Sequence, residues 1–160
     1  MFIALKLLTL IIVANGAPII AADLLRARWS APLDRGLHLP DGQALFGSAK
    51  TWRGLISALV FTVGCAVLLG LPAVLGALIA AGAMLGDLTS SFIKRRLHVA
   101  SSGRALGLDQ IPESLLPLLA VQSYVPLSAA RISVLVLLFV ALELLLSRVL
   151  FKLHLRNRPY

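Results

Sequence analysis

The stretch GDLTSSFIKRR, Gly86 to Arg96, decides how this chain is read. It sets Asp87 at the inner end of an apolar helix and three consecutive cations, Lys94, Arg95 and Arg96, one to two turns later. Seven residues separate Asp87 from Lys94, about 10 Å of helix rise and close to two turns. Asp87, Ser91 and Lys94 therefore share one face, with Ser90 beside them. Ionisable groups in a membrane segment are costly and usually face a bundle interior or a water-filled cavity. A carboxylate, two hydroxyls and a cation cluster where membrane meets water are suited to a metal ion and phosphates. The plainer reading, that the cations only anchor a helix end, does not account for Asp87.

The rest of the chain agrees with a membrane setting. Of 160 residues, 59% are hydrophobic and 14% charged, outside the usual range of soluble domains. The apolar residues fall in blocks near spanning length, which predicts an all-α integral membrane protein forming one domain over residues 1–160. The net charge of +8 follows from cations in the loops on one membrane face, so no nucleic acid partner is expected. A single cysteine, Cys65, excludes an intramolecular disulfide framework. His38, His98 and His154 are too scattered to suggest a metal site.

Five spans are expected, over residues 2–22, 54–71, 72–93, 109–125 and 132–153, with loops at 23–53 and 94–108. For the first span a cleaved signal peptide is the competing reading, made weaker by the spans that follow. Asn15, Gly16 and Pro18 are expected to interrupt that helix, and Asn15 to hydrogen-bond a neighbouring helix. The first loop is rich in turn formers, but Trp29, Leu33, Leu37, Leu39, Phe46 and Trp52 argue against disorder. The second and third spans form a hairpin, with Pro72 in the first turn of the third. Gly82 and Gly86 form a small-xxx-small pair that permits close helix contact. Asp109 and Glu113 lie four apart at the start of the fourth span; Asp109 can also cap that helix. Glu143 lies near mid-membrane, one turn before Ser147, and reads first as an internal hydrogen-bonding group.

Thirteen of the fifteen Lys and Arg residues fall on one face: five in the first loop, four in the second and four at the C-terminal end. Lys6 and Arg131 are left for the other. The expected topology is a multi-pass protein of the plasma (inner) membrane, N-terminus outside, with both loops and the C-terminus cytoplasmic. Asp87, Asp109, Glu113 and, less directly, Asp41 then meet Lys50, Arg53, Lys94, Arg95 and Arg104 at the surface where nucleotides are available. Carboxylates beside phosphate-binding cations suggest Mg²⁺, a hard ion that shares oxygen ligands with substrate phosphates. Phosphoryl or nucleotidyl transfer needs positioning and charge neutralisation more than a protein nucleophile. Gly42 and Gly47 have the glycine spacing of a P-loop, but Lys50-Thr51 comes two residues late and no strand precedes it.

Asn15 with Pro18, PLDRG (Pro32 to Gly36), Asp41-Gly42, FGSAKTWRG (Phe46 to Gly54), GDLTSSFIKRR and Leu108-Asp-Gln110 occur in this order. Together they resemble the CDP-archaeol synthase family and, more distantly, the CDP-diacylglycerol synthases. The resemblance spans nearly the whole chain. It implies that CTP and a lipid phosphate react to a CDP-lipid and pyrophosphate, with Mg²⁺, in phospholipid biosynthesis. It implies that Asp87 and Asp109 bind the metal and, with Lys94, form the catalytic set. It also implies that Lys50, Thr51, Arg53, Ser91 and Arg95 bind nucleotide or phosphate, with Asn15, Asp34, Asp41 and Glu113 in support. Asp34 and Asp41 have a second reading as organisers of the loop through turn hydrogen bonds. One position departs from the family pattern: Pro112 stands where a second acid is expected, and Glu113 follows. The partners implied are CTP, a membrane lipid phosphate and the bilayer; the lipid tail, its linkage and the oligomeric state are left open. A lipid kinase built from the same parts, or a small membrane transporter or scaffold using Asp87 and Glu143, are the alternatives.

Overall fold

The structure is a computed structural model that describes residues 2–99 and 107–152, with side chains through Arg148. Residues 100–106, with Arg104, and residues 153–160, with His154, Arg156 and Arg158, lie outside the described residues. Five helices follow one another: α1 Phe2–Leu25, α2 Trp52–Leu68, α3 Ala73–Arg96, α4 Gln110–Ala120 and α5 Ala129–Lys152. Three of them, α1, α3 and α5, are long and apolar enough to cross a membrane. At 24 residues each they reach about 36 Å, more than a hydrocarbon core of about 30 Å. α2 has 17 residues and is apolar. The fourth helix is shorter than the expected 109–125, with 11 residues. Phe2, Leu5, Phe61, Leu137 and Leu145 are exposed on the outside, the side that lipid would cover.

α1 is not interrupted at Pro18; it continues to Leu25, past the expected end. In an apolar setting each freed backbone group lacks water, so continuing the helix past one missing bond is cheaper than unwinding it. The Asn15 side-chain amide donates to Ile11 O of its own helix at 3.0 Å, not to a neighbouring helix. α2 starts two residues early because Thr51 caps it: the Thr51 Oγ1 accepts from Gly54 N at 3.2 Å. Pro72 stands at the N-cap of α3, one position before the expected first turn. α3 runs to Arg96, so Lys94 to Arg96 form its last turn and do not belong to the second loop. Their charge suits a helix C-terminus.

Two hydrogen-bonded turns define one end of the bundle. Lys6 Nζ donates to Leu69 O at 2.7 Å, tying the start of α1 to the α2–α3 turn. Gln122, expected inside a span, closes the α4–α5 connection by bonding both N and O of Leu127. The loops lie at the other end. The core between them holds Leu7, Leu10, Ile11, Ile79, Leu118 and Phe139, all fully buried. The first loop is ordered by its polar groups. Antiparallel bridges join Pro32 to Thr51 and His38 to Ala44, and Leu33 N donates to Lys50 O at 2.8 Å. Asp34 accepts from the backbone N–H of Gly36, Phe46 and Gly47 at 3.0, 2.9 and 2.9 Å.

Candidate active site

The site begins with two glycines. A Cβ on Gly82 would sit 2.6 Å from Pro117 Cα, and one on Gly86 would sit 2.7 Å from Glu113 N. α3 therefore meets the backbone of α4 directly, and any side chain at either glycine would force the helices apart. The small-xxx-small pair is a packing feature, as expected, and it also sets the chemistry. It draws the start of α4, with Asp109 and Glu113, onto the helix that carries Asp87. Pro112 fits in the first turn of α4, where its missing N–H has no helical partner to lose.

Two cation–carboxylate pairs then form. Lys94 Nζ lies 2.7 Å from Asp109 Oδ1, with both side chains largely buried. Asp109 stands at the N-cap of α4, yet its side chain makes no capping bond. Lys50, which comes from the loop just before α2, reaches Asp87 Oδ1 at 2.5 Å. Glu113 and Glu143 line the same cavity as Asp87 and Lys50. Carboxyls that share a cavity repel one another unless a proton or a cation neutralises them.

These groups line one cavity of about 870 Å³. Its polar side carries Lys50, Thr51, Asp87, Lys94, Asp109, Gln110, Glu113, Glu143 and Ser147; its apolar side is formed by α1, from Ile12 to Ile20, and by Phe139, Leu142 and Leu146 of α5. Asn15 and Pro18 face the same space. Gly54 passes close to Pro18, 3.4 Å from the Pro18 Cβ to the Cβ a side chain would add, which brings the capped start of α2 against α1.

Other expected residues are elsewhere. Arg53 is buried and donates to the carbonyls of Arg26 and Arg28 at 2.6 and 2.9 Å. Ser91 and Arg95 are buried and do not line the cavity. Asp34 and Asp41 organise the loop: Asp41 accepts from Gln43 N at 3.1 Å and pairs with Arg96 at 3.2 Å. Burial raises the Asp34 carboxyl, but the N–H groups of Phe46, Gly47 and Gly36 more than offset it, so it titrates below its ordinary range. Arg96 also donates to Ala44 O at 2.7 Å and lies over the Phe92 ring, latching the loop to the end of α3. Gln110 received no role from the motif that contains it. It accepts from Gly107 N at 2.7 Å and is buried at the cavity wall. Glu143 and Ser147, one turn apart on an otherwise apolar helix, were visible in the sequence, but nothing local related them to α3 and α4.

The family model for CarS-like CDP-archaeol synthase matches residues 69–160, more than half of the chain. A CDP-archaeol synthase of Thermofilum pendens is 34% identical, over 92% of this chain and 76% of its own length. That stretch necessarily includes both loops. The chain belongs to the CDP-archaeol synthase family.

Other members match over shorter stretches. The protein of Thermococcus onnurineus is 34% identical over 61% of its length, and that of Saccharolobus solfataricus 45% identical over 51%. The fold also matches a solved intramembrane enzyme for archaeal membrane lipids biosynthesis, with a TM-score of 0.78 and 30% identity, over 88% of this chain and 90% of that one. Membership makes the chain a multi-pass membrane enzyme and a CTP-dependent transferase, which sets aside the transporter and scaffold readings.

Proposed function

We propose that this enzyme transfers the cytidylyl group of CTP to a membrane lipid phosphate, giving a CDP-lipid and pyrophosphate. A lipid phosphate oxygen attacks the α-phosphorus, and the bond from that phosphorus to the bridging oxygen of the β-phosphate breaks. The nucleophile needs no protein base, because a phosphomonoester with a second pKa of about 6 is already largely ionised near neutrality. The observation that carries this reading is that Lys50, Asp87, Lys94 and Asp109 line one cavity that continues into an apolar wall of α1 and α5. Lys50 and Lys94 neutralise the phosphate oxygens at the polar end. The apolar wall takes the lipid chain from the bilayer, and Thr51 and Asn15 line the same cavity.

Among the described residues no group of three His, Cys, Asp or Glu side chains forms a metal cage. Mg²⁺ does not require one; it is commonly held by one or two carboxylates together with substrate phosphates. Asp87 and Asp109 fit that donor set, and both open onto the same cavity as Glu113. When bound there, the ion supplies charge neutralisation for the triphosphate. Glu113, one turn after Asp109 on the cavity side of α4, takes the place of the family's second acid. In this reading the bundle lies in the plasma membrane with the loop end cytoplasmic, which the distribution of Lys and Arg supports.

The test is transfer of label from α-labelled CTP, with Mg²⁺, to a panel of ester- and ether-linked lipid phosphates. Label is expected in the lipid phase and should fall at least about 100-fold in Asp87→Asn, the scale for losing one electrostatic group at a transition state. In a parallel run with γ-labelled CTP, label reaching the lipid from that position while the α-label stays behind would replace this reading with a lipid kinase.

A further inference from the structure

The cytidylyl-transfer site leaves one built feature unused. Arg53 is a buried cation that makes no ion pair with a carboxylate among the described residues and does not line the cavity. Its Nη1 donates to the carbonyls of Arg26 and Arg28, just past the C-terminal end of α1. Arg28 N also donates to Leu25 O at 2.8 Å, and Ser30 Oγ to Ala27 O at 2.9 Å. Within this clamp Arg26 and Trp29 have φ of 47° and 54°, a left-handed conformation that non-glycine residues adopt only when their surroundings hold them there.

The clamp presents a particular set of side chains. Arg26 and Arg28 are exposed, and no ion pair to either is found among the described residues. Trp29, directly after Arg28, is 79% exposed, and Leu24, just before this segment, is 75% exposed. The one acid nearby, Asp23, is exposed on the last turn of α1. A helix that ends at the membrane surface in two outward guanidinium groups and an indole matches the chemistry of the headgroup layer: the indole sits at the interface and the cations meet lipid phosphates.

We propose that Arg26, Arg28 and Trp29 form a docking surface for the headgroup of an anionic phospholipid, held in shape by Arg53. This surface is separate from the cavity and independent of the transfer reaction.

The experiment uses the full chain in zwitterionic phosphatidylcholine nanodiscs carrying a minor share of brominated phosphatidylglycerol or, for comparison, brominated phosphatidylcholine. Trp29 emission is read without CTP, with the Trp29→Phe chain supplying the share due to Trp52. Brominated phosphatidylglycerol is expected to quench Trp29 more strongly at equal content. The double variant Arg26→Gln/Arg28→Gln should lower the relative affinity for the anionic lipid about thirty-fold, roughly five-fold for each cation. Its transfer activity in nanodiscs whose only anionic lipid is the substrate lipid phosphate should stay at the wild-type level. Arg53→Gln, which retains both surface cations, should also lose the preference. Equal quenching by the two lipids in the wild type, or an unchanged preference in the double variant, would overturn the proposal; a preference kept in Arg53→Gln would remove the clamp from it. Inorganic phosphate at matched ionic strength should leave quenching unaltered, and displacement by it would overturn a lipid headgroup as the occupant.

Discussion

The site is closed by two cation–carboxylate pairs that are built in different ways. Lys94–Asp109 joins two helices whose backbones touch at Gly82 and Gly86, and both partners are largely buried. Lys50–Asp87 joins α3 to a loop, and each partner keeps about a fifth of its side-chain surface exposed. The first pair is placed by helix packing that has no room to adjust. The second is placed by a loop whose shape depends on Asp34, two isolated bridges and the Arg96 latch. The difference assigns separate tasks: the α3–α4 seam is the fixed reference, and the loop brings its lysine to it. Substitutions on the seam should therefore act on folding and turnover together, whereas those in the loop should act on turnover first.

The largest expected effect is Gly86→Leu. Backbone atoms of α4 occupy the space that its Cβ needs, so the helices must separate, carrying Asp109 and Glu113 away from Asp87. Overpacking of this kind costs about 1–3 kcal/mol or more, and transfer should vanish along with a large drop in the thermal midpoint. A near-normal midpoint with activity intact would break the comparison. Next is Lys94→Ala, which removes the cation facing a largely buried Asp109. Loss of one partner from a buried pair costs about 3–5 kcal/mol as an upper range, and Lys94→Ala/Asp109→Asn should recover much of the stability without the activity. A denaturation series on the three chains reads this directly.

Smaller effects sharpen the loop side. Thr51→Ala removes the cap of α2 and should cost about 1 kcal/mol; Thr51→Ser should restore it, as thermal unfolding would report. The smallest is a pH effect. Because the folded-state value of Asp34 is depressed, its stabilisation is fully present above the ordinary carboxylate range and is lost as pH falls through the lowered value. Protection of the Phe46 and Gly47 amides, measured against their intrinsic exchange rate at each pH, should fall on acidification below about pH 4 in the wild type, and Asp34→Asn should lack that step. An identical acid response in both would detach Asp34 from loop order.

Much of the site was legible from residue spacing. Asp87 and Lys94, two turns apart on one helix, line the same cavity, and the i,i+4 pair Asp109 and Glu113 joins them. Helix periodicity is local, so it can be read along the chain. The misplaced residues share a different property. Arg53 stands in a motif among phosphate-binding candidates, yet turns toward two carbonyls about 25 residues away in sequence. Pro18 reads as a break, yet the helix runs through it because the apolar surroundings penalise unwinding.

By itself the sequence determined that this is a helical membrane protein, which end of it carries the cations, and which acids and lysines are candidates. Composition, spacing and charge placement act over a few residues or over whole segments, and neither depends on how the helices meet. Only the tertiary structure decided which cation faces which acid. It turned Asp109 from a possible cap into the partner of Lys94, and Gly82 and Gly86 from a packing pair into the contact that positions the acids. It also brought Glu143 to the same cavity as Asp87. Electrostatic pairing works over a few ångströms, and those distances are set by backbone approach between segments far apart in the chain.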